Sequence, residues 1–223
     1  MFKNKKVLIL AAHPDDETIG CGGTISYLLK NNCEVNVIFF TDGISSRTKS
    51  VNEKKKRSKN LQKVVKLMKF KIQKKFNFKD NALDSTPLLY IVKKLETEIK
   101  KFKPEIIFTH FFDDLNIDHK LVYQATMTAC RPSTNSSVKK IFSYEVPSAT
   151  DWSLDTSFKP NFFICIDRFF KKKITALKLY GTEMKKYPHP RNIESILINN
   201  KLRGHHICKE SAEAFRVERF IYD

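Results

Sequence analysis

Short apolar runs alternate along this chain with longer stretches in which apolar residues recur every three or four positions. The first run, Val7-Leu8-Ile9-Leu10-Ala11-Ala12, has no polar alternation and suits a strand covered on both faces. Pro14 stops the pairing, and Asp15 and Asp16 suit a helix N-terminus, so a helix is predicted from there to about Lys30. Further strands are predicted over 34–41, 72–78, 106–109, 141–146 and 162–166. Helices are predicted over 53–69, where Leu61, Val64, Val65 and Met68 share a face, over 87–102, from about 119 to 130, over 169–180 and over 193–202. The Ser-rich stretch 44–52 reads as a mobile loop, and 147–160, with the single tryptophan Trp152, as a second long loop. Strands alternating with helices predict an α/β fold: one Rossmann-like domain over 1–223, mainly parallel, with helices on both faces.

Composition adds bounds rather than a fold. The chain has 223 residues, 41% of them hydrophobic, enough for one full core. No apolar run approaches the roughly 20 residues of a membrane span. The basic N-terminus is followed by an apolar run too short for a secretory signal, which predicts a cytoplasmic protein. The five cysteines are scattered, without zinc-ribbon or CxxC spacing, as free thiols in a reducing compartment would be. The net charge of +17 comes from lysines spread along the whole chain, with few arginines and no aromatic-interleaved basic motif. No nucleic-acid partner is expected from that distribution; an anionic substrate suits it.

In a parallel sheet every strand ends on one edge, and ligands bind there. His13 and Asp16 lie where the first strand gives way to its helix, spaced to reach one metal ion together; imidazole plus carboxylate suits zinc or another divalent metal. Asp15, between them, is free to act as a base. Asp42-Gly43, Asp80 and the polar stretch 110–119 follow later strands and converge on the same edge. No GxGxxG or Walker motif follows the first strand, and carboxylates there would repel a phosphate.

The stretch Ala12-His13-Pro14-Asp15-Asp16-Glu17, with Asp118-His119 downstream, resembles the LmbE-like, or PIG-L-like, zinc-dependent N-acetylglucosaminyl deacetylases. Thr41-Asp42-Gly43, Phe78-Lys79-Asp80-Asn81, Pro188-His189-Pro190-Arg191, Arg203-Gly204 and Ala212-Glu213-Ala214-Phe215 extend the match in the family's order. The resemblance implies a metal-dependent hydrolase that removes acetyl from a GlcNAc-like amino sugar, free or carried on a lipid or nucleotide. It implies His13, Asp16 and His119 as zinc ligands with a position left for water, Asp15 as general base and Asp118 as an orienting residue. By the same alignment Arg57 and Asp80 contact the substrate. Many members carry a histidine where this chain has Asn116, which cannot serve as a general acid at neutral pH. Either Asp15 does both jobs or another group supplies the proton; of the candidates for such a replacement His189 comes first and His110 second. The zinc chemistry also admits a non-sugar N-acyl amide, and the basic charge a nucleotide-binding or nucleic-acid-binding module.

Overall fold

The strands are β1 (Lys6–Ala11), β2 (Glu34–Thr41), β3 (Lys71–Phe78), β4 (Ile106–His110), β5 (Lys140–Tyr144), β6 (Phe162–Cys165) and β7 (Ala212–Phe220). In this computed structural model, which describes residues 2–46, 50–134, 136–153 and 156–222, they form one sheet in the order β3-β2-β1-β4-β5-β7-β6. The first five run parallel, and β7 lies antiparallel between β5 and β6. Among the described residues six α-helices flank it: α1 (Asp16–Lys30), α2 (Val51–Met68), α3 (Leu88–Phe102), α4 (Ile117–Ala129), α5 (Phe170–Leu179) and α6 (Ile193–His205).

The β1 side chains sort the two cores. Val7, Ile9 and Ala11 join a cluster with Ile25 of α1, Leu61 and Val64 of α2, Leu177 of α5 and Ile196 of α6. Leu8 and Leu10 point the other way, to Ile91 and Leu95 of α3 and Val122 and Ala125 of α4. A central parallel strand must be apolar on both faces, which is why its sequence shows no alternation.

The strand order reverses at β1, with β2 on one side and β4 on the other. This is the topological switch point of a Rossmann-like sheet, and the crevice beyond it lies between the ends of β1 and β4. Gly20 and Gly23 bring α1 close to its neighbours: a methyl group at Gly20 would run into the Tyr144 ring, and one at Gly23 into Ile166.

The structure departs from the sequence expectation at β7 and at the start of α2. The strand β7 was not anticipated. Its second half, Arg216-Val217-Glu218-Arg219, is charged, and the charges are satisfied by partners distant in sequence, as when Ser143 and Tyr123 donate to Glu218. Helix α2 starts two residues early, at Val51, where the Ser50 hydroxyl accepts the Glu53 amide. Of the expected mobile loop at 44–52, residues 47–49 lie outside the described residues, as do 154–155 of the Trp152 loop. Among the described residues no helix is long and apolar enough to cross a membrane.

Candidate active site

His13 follows β1, Asp16 opens α1, and His119 lies in the first turn of α4 beyond β4, so the switch point brings the three together. His13 Nδ1 is 3.1 Å from Asp16 Oδ2, His119 Nε2 is 3.2 Å from His13 Nδ1, and His119 Nε2 is 3.3 Å from Asp16 Oδ2. All three residues are buried. Bonds of about 2.0–2.1 Å at tetrahedral angles would put neighbouring donor atoms about 3.3–3.4 Å apart. The triangle therefore fits a zinc-sized cation with little adjustment.

Each imidazole has a carboxylate behind it. His13 Nε2 faces Asp118 Oδ2 at 3.1 Å and Asp80 Oδ1 at 3.3 Å, and His119 Nδ1 faces Asp114 Oδ2 at 3.0 Å. Such partners fix the tautomer and turn of a ligating imidazole. Asp118 is itself pinned, accepting the Asn81 amide at 2.8 Å and the Leu83 amide at 3.0 Å. Asp114 accepts the Asn116 amide and the Thr150 hydroxyl, which ties the Trp152 loop to His119.

The charge balance agrees with the geometry. Burial pulls both imidazoles down, but the carboxylates outweigh it: Asp16 and Asp118 raise His13 to about 9, and Asp114 and Asp16 raise His119 to about 10. Burial pushes Asp16 up, yet His119 and His13 hold it well below the ordinary carboxylate value. The carboxylates around the two imidazoles thus favour positive charge at this spot, whether as protons on the rings or as a bound cation.

Asp15 stands apart from the triangle. It occupies the N-cap position of α1 at φ 134°, but its side chain caps nothing. Its carboxylate is turned to Arg191 Nη2 at 2.6 Å and Arg57 Nη2 at 3.7 Å. Its amide donates to Glu17 Oε2 at 3.0 Å. Burial raises the Asp15 carboxyl above its ordinary value, against the opposing pull of Arg191 and then Arg57. Burial likewise raises Glu17 to about 7, although the Thr18 and Tyr180 hydroxyls donate to it.

Arg57 continues the buried stripe Leu61, Val64 and Met68 one turn back, so its guanidinium points inward. There it donates to Pro14 O at 2.7 Å and pairs with Glu183. Asp80 is buried beside His13 and accepts from the Ser46 amide and hydroxyl. Both border the cluster while engaged with protein partners. His189, half-buried, packs its ring on Trp152 and accepts the Arg191 amide at its Nδ1. Asn116 caps α4, accepting the Asp118 and His119 amides, so the expected histidine position is used to hold the first turn. His110 is fully buried, stacked on His119 at 3.9 Å, with Nε2 accepting the Ala12 amide; burial and then His119 hold it well below its ordinary value, hence neutral.

Sequence reasoning missed Asp114, Arg191 and Glu17 as site residues. For Asp114 a signal existed: Asp113-Asp114 after β4 repeats the Asp15-Asp16 pair after β1. The Pro188-His189-Pro190-Arg191 match marks that loop but not its partner, since Arg191 reaches Asp15 from 176 positions away.

Fold and site together define a class: a Rossmann-like α/β protein with a buried His-Asp-His centre, able to hold a divalent cation, at its switch point. Comparison with known proteins narrows it. The family described as PIG-L, GlcNAc-PI de-N-acetylase, matches residues 8–130. The uncharacterized deacetylase YaiS of Escherichia coli (strain K12) is 31% identical over 182 residues, covering 79% of this chain and 90% of that protein. The chain therefore belongs to the PIG-L family. Several solved structures share its fold, among them the following two. The conserved protein TT1542 from Thermus thermophilus has a TM-score of 0.79 at 19% identity, over 98% of this chain and 97% of that one. The N,N'-diacetylchitobiose deacetylase from Pyrococcus horikoshii, complexed with its inhibitor MPG, has a TM-score of 0.78 at 22% identity, over 96% of this chain and 84% of that one.

Proposed function

We propose that this chain is a hydrolase, dependent on zinc or another divalent cation, that removes the N-acetyl group from a GlcNAc-like amino sugar. The triangle of His13 Nδ1, Asp16 Oδ2 and His119 Nε2, 3.1–3.3 Å on each side with the Asp15 carboxyl on the adjoining residue, carries the reading. The family's description and the deacetylase names of its relatives support the N-acetyl sugar class. The substrate we envisage is anionic, lipid-linked or nucleotide-linked, which suits the net charge of +17, and the setting is the cytoplasm.

His13, Asp16 and His119 would hold the cation, which when bound polarises the acetamide carbonyl and acidifies water. Asp118 and Asp114 keep the two imidazoles turned toward it. Asp15 takes a proton from the attacking water as its oxygen bonds to the carbonyl carbon. The C–N bond then breaks, its electron pair stays on nitrogen, and that nitrogen takes a proton. Acetate and a free amine leave. His189 is our donor for the second proton: it gives the proton from its imidazolium form and returns to the neutral ring, whose Nδ1 accepts the Arg191 amide. Arg57 and Asp80 contact the sugar by exchanging a protein partner, Glu183 and Ser46 respectively.

The deciding experiment measures acetate release from free N-acetyl sugars, nucleotide-linked sugars and glycolipids, using protein of known metal content. Release from at least one sugar, reduced in His189→Ala at unchanged metal content, is expected. Fully metallated protein that deacetylates none of them would move the reading to a non-sugar amide.

A further inference from the structure

The carboxylate of Asp15 is held by a group from the far end of the chain. At φ 134°, ψ −30° its backbone is in a region that L-residues rarely adopt, and the Glu17 carboxylate holds its amide there. The backbone therefore aims Cβ but does not set the carboxylate plane, because the terminal torsion of an aspartate is soft and roughly two-fold. Something outside the residue has to choose which oxygen faces which way. Arg191 Nη2 takes Oδ2 at 2.6 Å. Oδ1 is left buried without a hydrogen-bond partner among the described residues, with Arg57 Nη2 3.7 Å away.

We infer that Arg191 is the positioning residue of the general base: its ion pair occupies Asp15 Oδ2 and so selects Oδ1 as the oxygen that accepts the proton of the attacking water. This rests on the reading of Asp15 as the base. An arginine suits the task, because its long, rigid guanidinium reaches Oδ2 through one charge-assisted bond from Nη2, where a shorter lysine with a freely turning ammonium would hold that oxygen less firmly. The loop that carries it is secured independently of the guanidinium. The Arg191 amide donates to His189 Nδ1, its carbonyl accepts the Lys185 amide, and Asn192 caps α6 through the Glu194 amide. Removing the side chain leaves those backbone bonds in place.

The test is a double-mutant cycle on the metallated enzyme with an N-acetyl sugar that it deacetylates. Arg191→Ala, Arg191→Lys, Asp15→Asn and the double variant Asp15→Asn/Arg191→Ala are compared for kcat, KM, metal content and Tm. Misplacing a reacting group by about 1 Å can cost on the order of 10²-fold. Arg191→Ala is therefore expected to lower kcat by about 10- to 100-fold, with KM and metal content close to wild type. Added guanidine should restore part of the loss in Arg191→Ala and none in Asp15→Asn. On the Asp15→Asn background, removal of Arg191 should cost nothing further, since the two act through one group. Wild-type kcat in Arg191→Ala, or losses that multiply in the double variant, overturns the inference. If Arg191→Ala does not fold, Arg191→Lys decides: reduced kcat at unchanged KM supports the inference, and full activity overturns it. Asp15→Asn with near wild-type turnover overturns instead the assignment of the base, a result independent of Arg191.

Discussion

The two flanks of the cluster are built differently. On the β1–β4 flank, every donor of the triangle lies between a strand end and the first turn of the helix that follows. On the β5–β7 flank, no residue of the triangle is present, and influence arrives through long-range ion pairs. Arg191 reaches Asp15, and Arg203 grips Glu145 with two bonds of 2.8 and 2.7 Å. Lys173 and Glu213, both fully buried, pair at 2.6 Å against the backbone of α1: Glu213 accepts the Gly23 and Thr24 amides, and Lys173 donates to the Ile19 carbonyl. The first flank carries the donors, and the second holds the helix that presents one of them. Arg191 apart, chemistry and scaffold are thus separable by mutation.

The largest effect should come from the first flank alone. Asp15→Asn keeps the shape of the side chain but cannot take a proton, so kcat should fall about 10²–10⁴-fold with metal retained. Acetate release and elemental analysis on one preparation check both halves. Next comes a scaffold break on the second flank. Glu213→Ala strands the Lys173 ammonium and two amides of α1, and breaking a buried pair in this way costs about 3–5 kcal/mol. A large drop in urea midpoint is expected, and a stability within experimental error of wild type would mean that the pair does not hold α1.

A third variant sharpens the comparison by acting on metal without touching a donor. Asp114→Asn weakens the carboxylate partner of His119 and should reduce metal affinity about 10–100-fold, read by competition with a chelator; His119→Ala should abolish stoichiometric binding. The smallest effect is the acid behaviour of the Trp152 loop. Thr156 and Ser153 hydroxyls and the Thr156 amide hold the Asp113 carboxyl down to about 2. A carboxyl depressed in the folded state contributes stability that is full above its unfolded value near pH 4 and is lost as pH falls through the folded value. Tm followed from about pH 5 to about pH 2 should fall more steeply in wild type than in Asp113→Asn.

From its own pattern the sequence determined the alternation of strands and helices, the parallel core and the edge that gathers the polar residues. It also determined that His13, Asp15 and Asp16 share one turn, because each of these follows from periodicity or spacing over a few residues. Arg57 was legible in principle as well: a charge on the stripe of Leu61, Val64 and Met68 has to point inward and be paired. The identity of its partners was not, and neither was the strand β7, whose charged half finds Ser143 and Tyr123 only after β5 and α4 are in place. Tertiary structure alone decided that Asp114 stands behind His119, that Asn116 serves as a helix cap, and that Arg191 rather than a neighbour holds Asp15. A buried charge takes its partner from whatever the fold brings within about 4 Å, and that depends on how distant segments pack.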